Sequence, residues 1–110
     1  MARTLYRIVS TNPPTAADFL TDEERGRGSP DDPPELRRLR TGRSVFGTEA
    51  RARRRARVFP RLGQYIAVLE IPDDSPARIA RTLGAGHYTI WAEPEYLLAC
   101  VVNVVPVQSE

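Results

Sequence analysis

Short runs with a two-residue apolar period, separated by polar and proline-bearing breaks, dominate the chain. Residues 4–9, Thr4-Leu5-Tyr6-Arg7-Ile8-Val9, are β-branched and aromatic and predict an opening strand. Alternation puts Leu5, Arg7 and Val9 on one face and Tyr6 and Ile8 on the other. Residues 44–47 predict a short strand, and residues 64–71 the clearest one, with Tyr65, Ala67, Leu69 and Ile71 on one face. Residues 77–82 can return as a further strand. In 87–91, His87, Thr89 and Trp91 share a face while Tyr88 and Ile90 share the other. Residues 101–107 are apolar on both faces except Asn103, which predicts a last strand in a central, doubly covered position.

Helical signals are shorter. Thr15 with Asp18 three residues on forms a capping pair for a helix ending near Leu20. In residues 35–40, Leu36 and Leu39 share a helical face, and Gly42 suits the position just past the end. The strongest helix is predicted over 49–59. Thr48 caps it, Glu49 meets its dipole, and Ala52, Ala56 and Phe59 form the inward stripe until Pro60 stops it. Arg51, Arg54, Arg55 and Val58 lie on a different face. Pro94 opens a one-turn helix over 95–99. Residues 21–34 are acidic, rich in turn formers and nearly free of apolar groups, so a mobile loop is expected there. Residues 72–76 and 83–86 read as turns. Five or six strands with three or four short helices, not in strict βαβ order, predict an α+β fold: one domain over 1–110 with a mixed or antiparallel sheet.

Composition narrows the picture. A chain of 110 residues suits one domain with one modest core. All 16 basic residues are Arg, yet 14 carboxylates offset them to a net +2. That balance permits contact with nucleic acid without arguing for it. The single cysteine, Cys100, sits in an apolar run and is expected to be a buried, inert thiol. It excludes an intramolecular disulfide and a thiolate zinc site. No apolar stretch approaches the ~20 residues that span a bilayer, and the start lacks a basic and apolar leader pattern. A cytoplasmic location without a membrane partner is expected. No Walker-type lysine loop, GxGxxG, HExxH, GxSxG or metal-ligand cluster is present, and no permanently bound cofactor or metal is expected.

The chemistry concentrates in residues 84–95. This stretch holds the only His, the only Trp, a Tyr, a Thr and two carboxylates. His87 is the one side chain suited by its ordinary pKa to acid or base work near neutrality; a lone His beside Tyr and Trp is more often a packed, hydrogen-bonded residue. Tyr88 and Trp91 can stack a planar ring or fill the core. Glu93 and Glu95 flank Pro94 with side chains directed apart, so each acts singly, and Glu95 also faces the start of its own helix. Arg7 needs a partner, because it is a charge within an apolar strand. An exposed face, a carboxylate or a ligand phosphate would each satisfy it.

Three segments in order carry a resemblance: Arg7 in LYRIV, then Gly42-Arg43-Ser44-Val45-Phe46-Gly47-Thr48 leading into an Ala-rich helix, then a late Glu before the terminal apolar strand. This order resembles the ADP-ribosyltransferase-like superfamily, which includes the RES-domain toxins and the poly-ADP-ribose polymerases. The resemblance implies that Arg7 touches NAD, that Ser44, Phe46 and Thr48 shape a nicotinamide pocket, and that Glu93 or Glu95 stabilises the transition state or orients the acceptor. His87, Tyr88 and Trp91 would join that cleft. Phe46 stands where one subgroup has a Tyr, and the segment from Gly86 to Trp91 has no counterpart in the pattern. NAD is then the expected ligand or substrate, and consumption of NAD or modification of a macromolecule the expected activity. Two other readings stay open. One is a non-enzymatic module that pairs with a protein partner or a second copy through the arginine helix or an edge strand. The other is a nucleic-acid binder acting through Arg51, Arg54 and Arg55.

Overall fold

The computed structural model describes residues 2–20, 31–35, 41–82 and 86–108. The loop expected over 21–34 and the helix expected over 35–40 therefore fall outside the described residues, except for 31–35. Residues 83–85 of the last turn do so as well.

Among the described residues six strands form one sheet: β1 (Ala2–Val9), β2 (Arg43–Phe46), β3 (Tyr65–Pro72), β4 (Arg78–Arg81), β5 (His87–Trp91) and β6 (Val101–Pro106). Their order is β4-β5-β2-β1-β3-β6, and every pair is antiparallel. The α+β expectation holds in its broad form. The helix count differs: the described residues contain two full α-helices, α1 (Glu49–Val58) and α2 (Pro94–Ala99), two 3-10 turns, Ala16–Phe19 and Pro60–Leu62, and helical backbone at Pro34 and Glu35. Four residues between Thr15 and Leu20 are too few for a settled i→i+4 ladder, so Ala16–Phe19 tightens to 3-10 geometry.

The two faces of the sheet carry different covers. On one, Leu5, Val9, Val45, Ala67, Leu69, Ile71 and Ile90 pack with Phe19 and with Leu97 of α2. On the other, Phe46, Ile66 and Val107 pack against Ala52 and Ala56 of α1, flanked by Tyr6 and Ile8. The period-two expectations for β1, β3 and β5 are met, since each alternate set goes to its own cover. Ala52 and Ala56, one turn apart, bring the α1 backbone close to the strands. Each fully buried Leu, Ile or Phe contributes roughly 1.5–3 kcal/mol through the hydrophobic effect.

Two expectations are corrected. Phe59 does not belong to the inward stripe of α1: it is the C-cap, with φ −126° and ψ 77°, and is 36% exposed. Pro60 disfavours helical backbone at the residue before it, which swings the ring off the helical face. The last strand, β6, is not central but an edge. Val101 and Val104 pack toward the α2 face, Val105 and Val107 toward the α1 face, and Val102 is left 57% exposed. Its apolar character thus reflects a strand touched on both faces at the rim of the sheet.

That edge is blunted. The Val107 N–H bonds to Gln64 O at 2.8 Å, so by period two the N–H groups of Val105 and Asn103 also point inward and that of Val104 outward, up to the register shift opposite Val68 and Leu69. The Val104 N–H is taken by Oδ1 of Asn103 at 2.9 Å, and Pro106 has no N–H to offer. At the opposite edge, β4 is four residues long with Arg78 and Arg81 at its ends.

Candidate functional site

Arg7 lies on the α2 face beside Leu5 and Val9, as alternation requires, and two backbone carbonyls are among its partners. Its Nε donates to Asp18 O at 2.9 Å and an Nη to Ser44 O at 2.8 Å, while the guanidinium sits 5.6 Å from the Phe19 ring centre. The buried Arg43 repeats the arrangement, donating from Nε to Phe19 O at 2.5 Å. Two guanidiniums therefore meet the carbonyl end of the 3-10 turn, where its backbone acceptors lack partners of their own. The Asp18 carboxylate secures the other side of the turn, accepting from Ser10 N–H, the Thr11 hydroxyl and Thr15 N–H at 2.6–3.0 Å. Burial alone would raise the Asp18 pKa. The bonds from Thr11, Thr15 and Ser10, with the charge of Arg7, outweigh burial and hold it below its ordinary value.

Further along the same face, Tyr88 packs over β2. A side-chain carbon added at Gly47 would lie 3.1 Å from the Tyr88 ring, so the glycine lets the ring rest on the backbone. The Arg3 guanidinium covers Tyr88 at 4.5 Å from its centre. Arg3, Arg7, Val45 and Tyr88 thus share the α2 face across three neighbouring strands.

The other expected site residues of β2 and β5 lie on the α1 face. His87 sits edge-on to Phe46, ring centres 5.3 Å apart. Its Nδ1 lies 3.0 Å from the carbonyl oxygen of Thr82 and 3.1 Å from the Thr82 hydroxyl, which continues to the buried Thr89 at 2.7 Å. A carbonyl only accepts, so Nδ1 carries the proton and Nε2 is the unprotonated nitrogen of the neutral ring. Burial depresses the His87 pKa and the charge of Arg55 adds to this; the bond to the Thr82 carbonyl works against both. Trp91 donates from Nε1 to the Thr41 hydroxyl at 3.0 Å and packs close to Gly42, where any added side chain would collide with Thr89. Thr48 does what a cap does, accepting from Arg51 N–H at 3.2 Å.

A groove of about 600 Å³ runs between α1 and β5, with Arg51, Arg54 and Arg55 on its helical wall and Phe46 and His87 opposite. Thr48 and Phe59 also line it. Glu93 and Glu95 are elsewhere: Glu93 is the N-cap of α2 and Glu95 stands in its first turn, both exposed. The expected set is therefore divided. Phe46, Thr48 and His87 share the groove; Arg7 and Tyr88 occupy the reverse face; Ser44 is an exposed residue of β2, and its carbonyl joins the two sets through Arg7.

Arg3 and Arg43 are absent from the expected set. Arg3 was accessible from alternation alone, being two and four positions from Leu5 and Arg7. Arg43 gave no signal, since its bond to Phe19 spans 24 residues. Cys100, expected to be buried, is partly exposed at the C-cap of α2, and burial still raises its thiol pKa. No group of His, Cys, Asp and Glu among the described residues is arranged to hold a metal ion, and no described helix is long and apolar enough to cross a membrane. No family model, curated protein or solved structure matches this chain.

Proposed function

We propose that this is a nucleotide-binding protein of the ADP-ribosyltransferase-like type, holding NAD or a related nucleotide on the α2 face where β1, β2 and β5 adjoin. The carrying observation is that two strands named by the resemblance, β1 and β2, are direct neighbours joined by the bond from Arg7 to Ser44 O, while β5 flanks β2. In this reading Arg3, supported by the charge of Arg7 behind it, presents a cationic donor to a diphosphate, and the Arg3–Tyr88 stack forms a flat wall for a planar base. Ser44 and Phe46 act through the backbone of β2, because their side chains point to the reverse face. Glu93 and Glu95 stand at the start of α2, whose Leu97 packs in the same cluster as Phe19.

A thermal-shift titration with NAD, ADP-ribose and ATP tests this. Ligand bound only to the folded state stabilises it by RT ln(1 + [L]/Kd), about 2.7 kcal/mol at a hundredfold excess over Kd. NAD is expected to raise Tm in the parent protein. Arg3→Ala should abolish that rise while leaving ligand-free stability within about 0.5 kcal/mol, as for other exposed positions. Absence of a shift with all three nucleotides sinks the reading. The exposed apolar trio Val58, Phe59 and Leu62 would then favour a protein partner.

A further inference from the structure

The groove between α1 and β5 lies on the face opposite the proposed nucleotide site, and its chemistry is asymmetric. Its helical wall carries Arg51, Arg54 and Arg55; its other wall carries Phe46 and His87, and no carboxylate is among the described residues that line it. Arginines on an exposed helix ordinarily extend into solvent, but two of these are laid against the fold. The aliphatic stem and guanidinium of Arg51 cover Gly86, where an added side-chain carbon would collide with them. Gly86 has φ +76°, a conformation that suits glycine, so the turn before β5 is shaped to admit this close approach. The Arg55 guanidinium lies on the Phe59 ring, 4.4 Å from its centre. Arg53 and Arg57, on the same helix, have other settings. Arg53 pairs with Glu49 at 2.9 Å and bonds the carbonyls of Pro106 and Val107, and Arg57 lines a separate depression beside Gln64 and Tyr65.

A groove this size is large for a single anion and falls in the range of sites that hold organic ligands. Its cations form a row along one helix, Arg51 and Arg55 about 6 Å apart along the axis at 1.5 Å per residue. A row on one wall meets successive phosphates of a chain; His87 across the groove and Phe59 at the end of the helix meet the bases between them. Base faces are available in a single strand and hidden in a duplex. His87 adds an acceptor, since its Nδ1–H is committed to the Thr82 carbonyl and Nε2 is left to receive an N–H or O–H. We infer that the groove beside α1 binds single-stranded nucleic acid, with Arg51, Arg54 and Arg55 on the phosphates and the half-buried His87 and exposed Phe59 against the bases.

Fluorescence anisotropy of labelled oligo-uridine, oligo-thymidine and a duplex of equal length tests this with the full chain. Both single strands should bind more tightly than the duplex. The logarithm of affinity should fall against the logarithm of salt with a slope near −2, at about 0.7 per phosphate contacted on a single strand. Arg54→Ala should weaken binding roughly tenfold and flatten the slope. Arg57→Ala removes the same charge from another side of α1 and should leave affinity unchanged within about twofold. Arg3→Ala should also leave oligonucleotide binding intact, so this inference stands or falls separately from the nucleotide site. Trp91 fluorescence during unfolding checks that each variant is folded. Equal losses in Arg54→Ala and Arg57→Ala, tighter binding of the duplex, or no binding by the folded parent would each overturn the inference.

Discussion

Arg7 of β1 donates a 2.8 Å hydrogen bond to the carbonyl oxygen of Ser44, 37 residues away on β2. The register of that strand pair is carried by a single matched position, Tyr6 with Phe46, so the guanidinium reinforces a short seam of the sheet. The same side chain binds Asp18 O, and one residue therefore joins β1, β2 and the 3-10 turn.

Arg7→Ala should accordingly destabilise the fold even without ligand. Loss of two charge-assisted bonds, the part-buried one to Asp18 O and the exposed one to Ser44 O, costs about 1–3 kcal/mol. Arg7→Lys should recover only part of this, because one ammonium cannot reproduce the planar fork that reaches both carbonyls. Urea unfolding of the three proteins checks the ranking; a lysine variant as stable as the parent would refute the two-carbonyl account.

Asn103 is expected to guard the β6 edge. Asn103→Ala removes the acceptor that occupies the outward N–H of Val104 and leaves an uncharged, valine-rich rim. Sedimentation across a concentration series should show stronger self-association than the parent, whereas Asn103→Asp, which keeps the acceptor and adds charge, should not associate. Identical profiles for parent and Asn103→Ala would mean that the edge is protected in another way.

Stability should fall in two steps on acidification. The folded His87 has a pKa below its ordinary 6.5, so folding favours the neutral ring. Its contribution is complete above pH 6.5 and is lost as pH falls from there through the folded-state value. Asp18 follows at lower pH. Its folded pKa lies below the ordinary 3.8, so its contribution is present above that value and disappears as pH drops through the folded one. Urea midpoints measured from neutral pH downward should show both declines. Asp18→Asn should start less stable and lack the lower step, and His87→Gln should lack the upper one. A parent protein whose midpoint is flat through 6.5 would contradict the assignment to His87.

Local order was largely legible in the residues themselves. Period-two runs in β1, β3 and β5 place their side chains correctly because a strand's alternation is a property of the backbone alone. The Thr15–Asp18 pair and the Thr48 cap were readable for the same reason: their partners lie within three residues. The strand order was not readable, and with it went the position of β6. Its valines are compatible with a buried centre or a rim touched on both faces, and only the pairing with β3 decides between them.

The candidate site divides in the same way. Arg7, Phe46, His87, Tyr88 and Trp91 stand out by type, and their spacing gives the face of each strand. Which strands are neighbours, which face α1 covers and where its arginines come to rest depend on contacts spanning tens of residues. Asp18 O, Ser44 O and Phe19 O became partners of Arg7 and Arg43 in this way, since a backbone carbonyl carries no mark in the sequence. Sequence by itself determined the elements, their inward and outward sides and the residues with chemistry to offer. The tertiary structure alone decided that those residues fall on two opposite faces, because a sheet has two sides and only the assembled strand order and helix packing give each side its cover.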